Sequence, residues 1–136
     1  MMTPKTVASA FATLTQEGTS EEISNWKALA GYSPMDENLH QRVSPLVEKC
    51  SVQEVQTIEL MMIAHAQSVV FHLLNILDGT GDLENTEDFG MFSLSFESFK
   101  TKLVSQIAPN DADTLHDCFM EACMDQFERN RGEAKQ

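Results

Sequence analysis

From Ser51 to Asp78 the chain runs for about 27 residues without a glycine or a proline, and apolar side chains recur through the whole stretch at helical spacing. At 1.5 Å per residue such a helix is about 40 Å long. Val55, Ile58, Met62, Val69, Leu73 and Ile76 form one side, and Leu60, Phe71 and Leu74 another. Only a narrow strip is polar, made by Thr57, Ser68 and Asn75 with His65 and His72 at its margin. A surface helix needs a single apolar stripe, so this element is expected to be a central strut around which other helices pack. Its ends are marked. Ser51-Val52-Gln53-Glu54 matches a capping box, in which a serine oxygen and a glutamate carboxylate each satisfy an orphan amide, and Asp78-Gly79 stops the pattern.

The flanking segments also read as helices. Thr3-Pro4 opens a first one with Val7, Ala10, Phe11 and Leu14 inward, and Gly18 is expected to end it. Thr19-Ser20-Glu21-Glu22 then reads as a second capping box, starting a helix that carries Ile23, Trp26, Leu29 and Ala30 to Gly31. Ser33-Pro34 begins a further helical stretch, which Ser44-Pro45 should bend or interrupt because proline disfavours helix at the preceding residue. Residues 78–88 are rich in glycine and acid and read as a loop. Phe92, Leu94 and Phe96 alternate with serines over too short a run to demand a sheet. A helix carrying Phe96, Phe99, Leu103 and Ile107 is expected next, closed by Pro109, and Asn110 should cap a last helix with Leu115, Phe119, Ala122 and Phe127 inward. The expected architecture is all-α, with at most a minor extended element near 91–96. One compact domain of five to six helices would span 1–131 around the long central helix, followed by a polar tail at 132–136.

Charge bounds the partners. Nine Lys and Arg against 21 Asp and Glu leave a formal charge of −12, which disfavours direct nucleic-acid binding and an anionic membrane surface, since both need clustered cations. No segment is read as long and apolar enough to span a bilayer. Cys50, Cys118 and Cys123 are odd in number and lack metal-ligand spacing, so they fit small buried side chains in a reducing, cytoplasmic setting rather than a disulfide framework.

No catalytic signature stands out. His65 and His72 lie seven residues apart, about 10 Å along one helix, too far to share an ion without unusual rotamers. With His116 they outline an alternative reading as a small metal-dependent or hydrolytic enzyme, but the di-iron and zinc-hydrolase motifs are absent and a boundary histidine hydrogen-bonded to a neighbour is the simpler account. Glu59 falls in the apolar arc of the long helix, where an interhelical salt bridge explains it more simply than acid–base chemistry. Asp78, Asp82 and Glu84 do not follow the ligand pattern of a calcium loop. Phe71–Gly79 (FHLLNILDG) and Leu115-His116-Asp117 have a motif-like composition to which no activity attaches. No cofactor is expected.

A stripe of acid remains. Asp113, Asp117, Glu121, Asp125 and Glu128 share one arc of the last helix about 120° wide, and like charges at this spacing cost a few tenths of a kcal/mol per pair. Helix-dipole compensation accounts for Asp113, and Arg129 and Arg131 are placed to pair with Asp125 and Glu128. Asp117 and Glu121 have no cation one turn away, so they most need an explanation from outside the helix. The resulting expectation is a small acidic interaction protein that binds a basic protein partner, a class that includes immunity and antitoxin-like inhibitors. A homodimer through excess apolar surface of the long helix is compatible with it.

Overall fold

The computed structural model describes residues 1–28, 37–79 and 92–133. In chain order these form α1 (Pro4–Ala28), α2 (Glu37–Lys49), α3 (Val52–Leu77), the strands β1 (Leu94–Glu97) and β2 (Val104–Ala108), and α4 (Leu115–Glu133). The protein is mainly helical, as its periodicity indicates. Four helices rather than five or six appear among the described residues, because two expected helix boundaries are absent and one expected helix is a hairpin. The acidic stretch 80–91, the start at Ser33-Pro34 and the side chains of Trp26, Leu29 and Ala30 lie outside the described residues.

Gly18 does not end a helix. α1 runs through it, with Ala8 and Ala12 fully buried before it and Ile23 buried after it, and burial on both sides outweighs a glycine penalty of about 1 kcal/mol. Thr19, expected as a cap, instead donates its hydroxyl to the Thr15 carbonyl at 2.7 Å inside the helix. At the start the expected cap is present: Thr3 Oγ1 accepts from the Thr6 amide at 3.2 Å, and Thr6 Oγ1 accepts from the Thr3 amide at 3.1 Å. Within this helix Leu14 is exposed, because Ala8 and Ala12 supply the inner face. Likewise α2 continues past Pro45, with Ser44 and Val47 buried on either side of it.

α3 forms as expected. The Ser51 amide donates to Glu54 Oε2 at 2.6 Å and the Glu54 amide to Ser51 Oγ at 3.2 Å, and the chain leaves the helix through Gly79, whose φ of 75° lies in the left-handed region that favours glycine. It is not a wrapped central strut. Val55 and Leu74 are its fully buried apolar residues, while Leu60, Met61, Val69 and Leu73 remain more than half exposed. Nor does the expected lack of a bilayer-length segment hold: α3 is long and apolar enough to cross a membrane by length and composition, since no charged residue occurs from Leu60 to Leu77.

The expected helix from Phe96 to Ile107 is replaced by an antiparallel hairpin that pairs Phe96 with Ser105 and Glu97 with Val104. The 96, 99, 103, 107 spacing imitates a helix, yet Phe99 and Leu103 lie in the turn. That turn is closed by the Ser98 amide on the Leu103 carbonyl at 2.9 Å and the Lys102 amide on the Ser98 carbonyl at 2.8 Å, with Lys102 in the left-handed region at φ 60°.

The chain divides into two compact units, one of Met1–Thr13 with Gln67–Gln136 and one of Leu14–Ala66. In the first, Leu74, Ile107, Leu115 and Phe119 are almost fully buried around Ala8 and Ala12, two small residues one turn apart that let neighbouring elements approach closely. In the second, Ile23, Val47 and Val55 form a core joined by Val43, Cys50, Ile58 and Met62.

Candidate functional site on the last helix

α4 starts at Leu115, so neither Asn110 nor Asp113 belongs to it. Asn110 Oδ1 accepts from the amides of Ala112 and Asp113 at 3.1 and 3.2 Å, closing a turn ahead of the helix instead of capping it. The cap comes from a distant residue. Asp78, with its carboxylate 1% exposed, accepts from the Leu115 amide at 2.9 Å, the His116 amide at 2.8 Å and His116 Nδ1 at 2.6 Å. Negative charge buried there meets the positive end of the helix dipole and two of its orphan donors at once. The His116 ring also packs edge-on to Phe71, with centroids 5.6 Å apart. The two motif-like segments thus form one structure, in which Phe71 and Asp78 of the first hold His116 of the second.

A histidine oriented by a buried carboxylate is the positioning half of many acid–base sites. Here Asp78 is committed to the start of α4, and no Ser, Thr or Cys is hydrogen-bonded to His116 among the described residues; its Nε2 lies 3.5 Å from Asp117 Oδ1. The arrangement is a tertiary cap. His72 is exposed and donates from Nδ1 to the Ser68 carbonyl at 2.7 Å. His65 belongs to the other unit, where it lines an open groove with Thr19, Ile58, Met61, Met62 and Ala66. Glu59 accepts the Ser20 hydroxyl at 2.5 Å, so its partner is a neutral group rather than the expected cation. Among the described residues, no three His, Cys, Asp or Glu side chains are grouped to hold a metal ion.

The stripe residues separate by environment. Asp113 precedes the helix, 4.0 Å from Lys5 Nζ. Asp117 lies in the first turn and accepts the Thr114 hydroxyl at 2.6 Å, so it has both the helix dipole and a local donor. Glu121, Asp125 and Glu128 are exposed and form no ion pair among the described residues. The expected pairing with arginine does not form: Arg129 Nε donates to the Asp125 carbonyl at 3.4 Å, and Arg131 does not bridge to Glu128.

Beside this acid lies a second feature. Met120, Met124 and Phe127, at spacings of four and three, are 50%, 59% and 64% exposed, whereas Phe127 was expected inward. By helical geometry they form a strip about 60° wide, and the band holding Asp117, Glu128 and Glu121 begins about 20° beyond its edge. The inner face is taken by Leu115, Cys118 and Phe119, with Ala122 and Cys123 packed against the same core. Burial pushes the Cys118 thiol up, with Asp113 adding to the shift, and burial does the same to Cys123, so neither is an activated nucleophile. Spacing alone could have revealed the 120, 124, 127 strip; its exposure could not be read.

Comparison with protein-family models, curated proteins and solved structures gives no match in any of the three.

Proposed function

We propose that this protein is a small acidic interaction protein that binds a basic, amphipathic segment of a partner protein along the outer face of α4. One observation carries the reading: exposed Met120, Met124 and Phe127 run directly beside the carboxylates Glu121 and Glu128, which form no ion pair among the described residues, on one helix. Flexible, polarizable methionines and an aromatic ring accommodate apolar side chains of varied shape, and the flanking acids pair with lysine or arginine on the same segment. A net charge of −12 draws such a partner in and repels acidic competitors. Asp113, Asp117 and Asp125 extend the acidic border. Immunity and antitoxin-like inhibitors belong to this class, and three free cysteines accord with action in the cytoplasm.

The test uses a synthetic amphipathic helix of leucine and lysine, titrated into the full chain by calorimetry. Replacing Glu121 and Glu128 by Gln, or Met124 and Phe127 by Ser, should weaken binding about tenfold or more. Glu17→Gln with Glu21→Gln removes the same charge from α1 and should have little effect. Equal loss in that control would reduce the attraction to net charge and overturn the assignment to α4.

A further inference from the structure

The tip of the β1–β2 hairpin has the opposite character to the outer face of α4. Phe99 is 89% exposed and Leu103 68%, and Lys100 and Lys102 lie between them. The chain has nine cationic Lys and Arg residues in all, so two within a turn of exposed apolar residues are a local reversal of its charge. Neither lysine forms an ion pair among the described residues; the Lys102 ammonium lies 5.7 Å from the centre of the Phe99 ring. The turn is also built to hold these side chains. Besides its two backbone bonds, the Thr101 amide donates to Ser98 Oγ at 3.2 Å, and the Leu103 amide to Thr101 Oγ1 at 3.4 Å. An ordered turn presenting a bare phenylalanine loses little conformational entropy when it docks.

We propose that this tip docks on the α4 face of a second copy of the chain, with Phe99 and Leu103 against Met120, Met124 and Phe127, and with Lys100 and Lys102 beside Glu121 and Glu128. Both surfaces belong to the same compact unit, and the exposure of each shows that they do not cover one another within one chain. The match is twofold, apolar on apolar and cation on anion. It therefore selects this pair of surfaces over contacts between the acidic remainders of two copies, which repel. Each copy carries one knob and one receiving face, so a two-fold arrangement would engage both sets. The inference rests on α4 being a receptor for basic apolar segments and names one such segment. Self-association would then compete with capture of another partner.

Sedimentation of the full chain over a wide concentration range, at low salt, tests this. The mean mass should rise with concentration, and Lys100→Glu with Lys102→Glu should weaken the association about tenfold or more, as should Glu121→Lys with Glu128→Lys. Mixing the two variants brings a reversed tip to a reversed face and should restore association. A chain that stays monomeric throughout overturns the proposal, as does one whose association ignores both charge sets; the latter would place the contact elsewhere, with the exposed side of α3 the foremost candidate. The leucine–lysine helix separates the two readings. If the Lys100→Glu, Lys102→Glu variant binds it as the parent does while the parent never self-associates, only self-docking fails. If that helix binds regardless of Glu121 and Glu128, the reading of α4 itself fails.

Discussion

The two sides of α4 are built from similar residue types to opposite ends. Its inner side places Leu115, Cys118 and Phe119 in a core with Leu74, Ile107, Ala8 and Ala12, while its outer side leaves Met120, Met124 and Phe127 in solvent beside a row of acids. Apolar content alone does not distinguish them. What differs is the company each side keeps: the inner side is fixed by a distant cap and close-packed neighbours, and on the outer side Glu121, Asp125 and Glu128 form no ion pair among the described residues. The contrast assigns folding to one side of the helix and leaves the other for the binding proposed above.

The sharpest way to break that division is to damage the inner side. Phe119→Ala should cost about 3–5 kcal/mol of unfolding free energy, read by chemical denaturation. Asp78→Ala should cost about 2–3 kcal/mol, since it removes three hydrogen bonds to a buried carboxylate and leaves two amides at the start of α4 unsatisfied. A loss no larger than that of an exposed surface substitution would show that Asp78 does not anchor the helix.

Ser51→Ala, at the cap of α3, should cost about 1 kcal/mol. Glu54, its reciprocal partner, has its carboxyl held below the ordinary value by the Ser51 amide first and the Ser51 hydroxyl second. A carboxyl depressed in the folded state contributes stability that is present above its unfolded pKa and lost as pH falls through the folded one. The acid limb of a melting-temperature profile should therefore be shallower in Glu54→Gln than in the parent.

On the outer side, Met124→Ser with Phe127→Ser should shift stability by no more than about 0.5 kcal/mol per residue. The acidic row should divide by sign. Asp117→Asn loses a first-turn charge and should destabilise slightly, whereas Glu121→Gln relieves i,i+4 repulsion and should stabilise by a few tenths of a kcal/mol. If both changes have the same sign, the distinction between a dipole-compensated and an uncompensated acid fails.

The sequence disclosed what is local. The Ser51–Glu54 box, the Thr3 cap and the Gly79 stop each need residues within one helical turn, and each is present. Gly18 with Thr19–Glu22 carried the same kind of signal and misled, because burial of Ala12 and Ile23 on a continuous helix outweighs one glycine. Phe96, Phe99, Leu103 and Ile107 misled in the other direction, since helical spacing says nothing about whether a turn intervenes. The acidic row was legible by its period. Its apolar border was not, because a methionine or phenylalanine at helical spacing reads as core until its surroundings are known. The cap from Asp78 spans 37 residues to Leu115, and no local pattern encodes a contact of that range.

The most direct test of the division is to measure folding and binding on the same variants. Thermal melts and titrations with the leucine–lysine helix should be run on the parent, on Glu121→Gln with Phe127→Ser, and on Glu17→Gln with Glu21→Gln. Near-parental melts are expected for all three, with binding weakened about tenfold or more in the α4 variant alone. Indistinguishable binding by all three would contradict it.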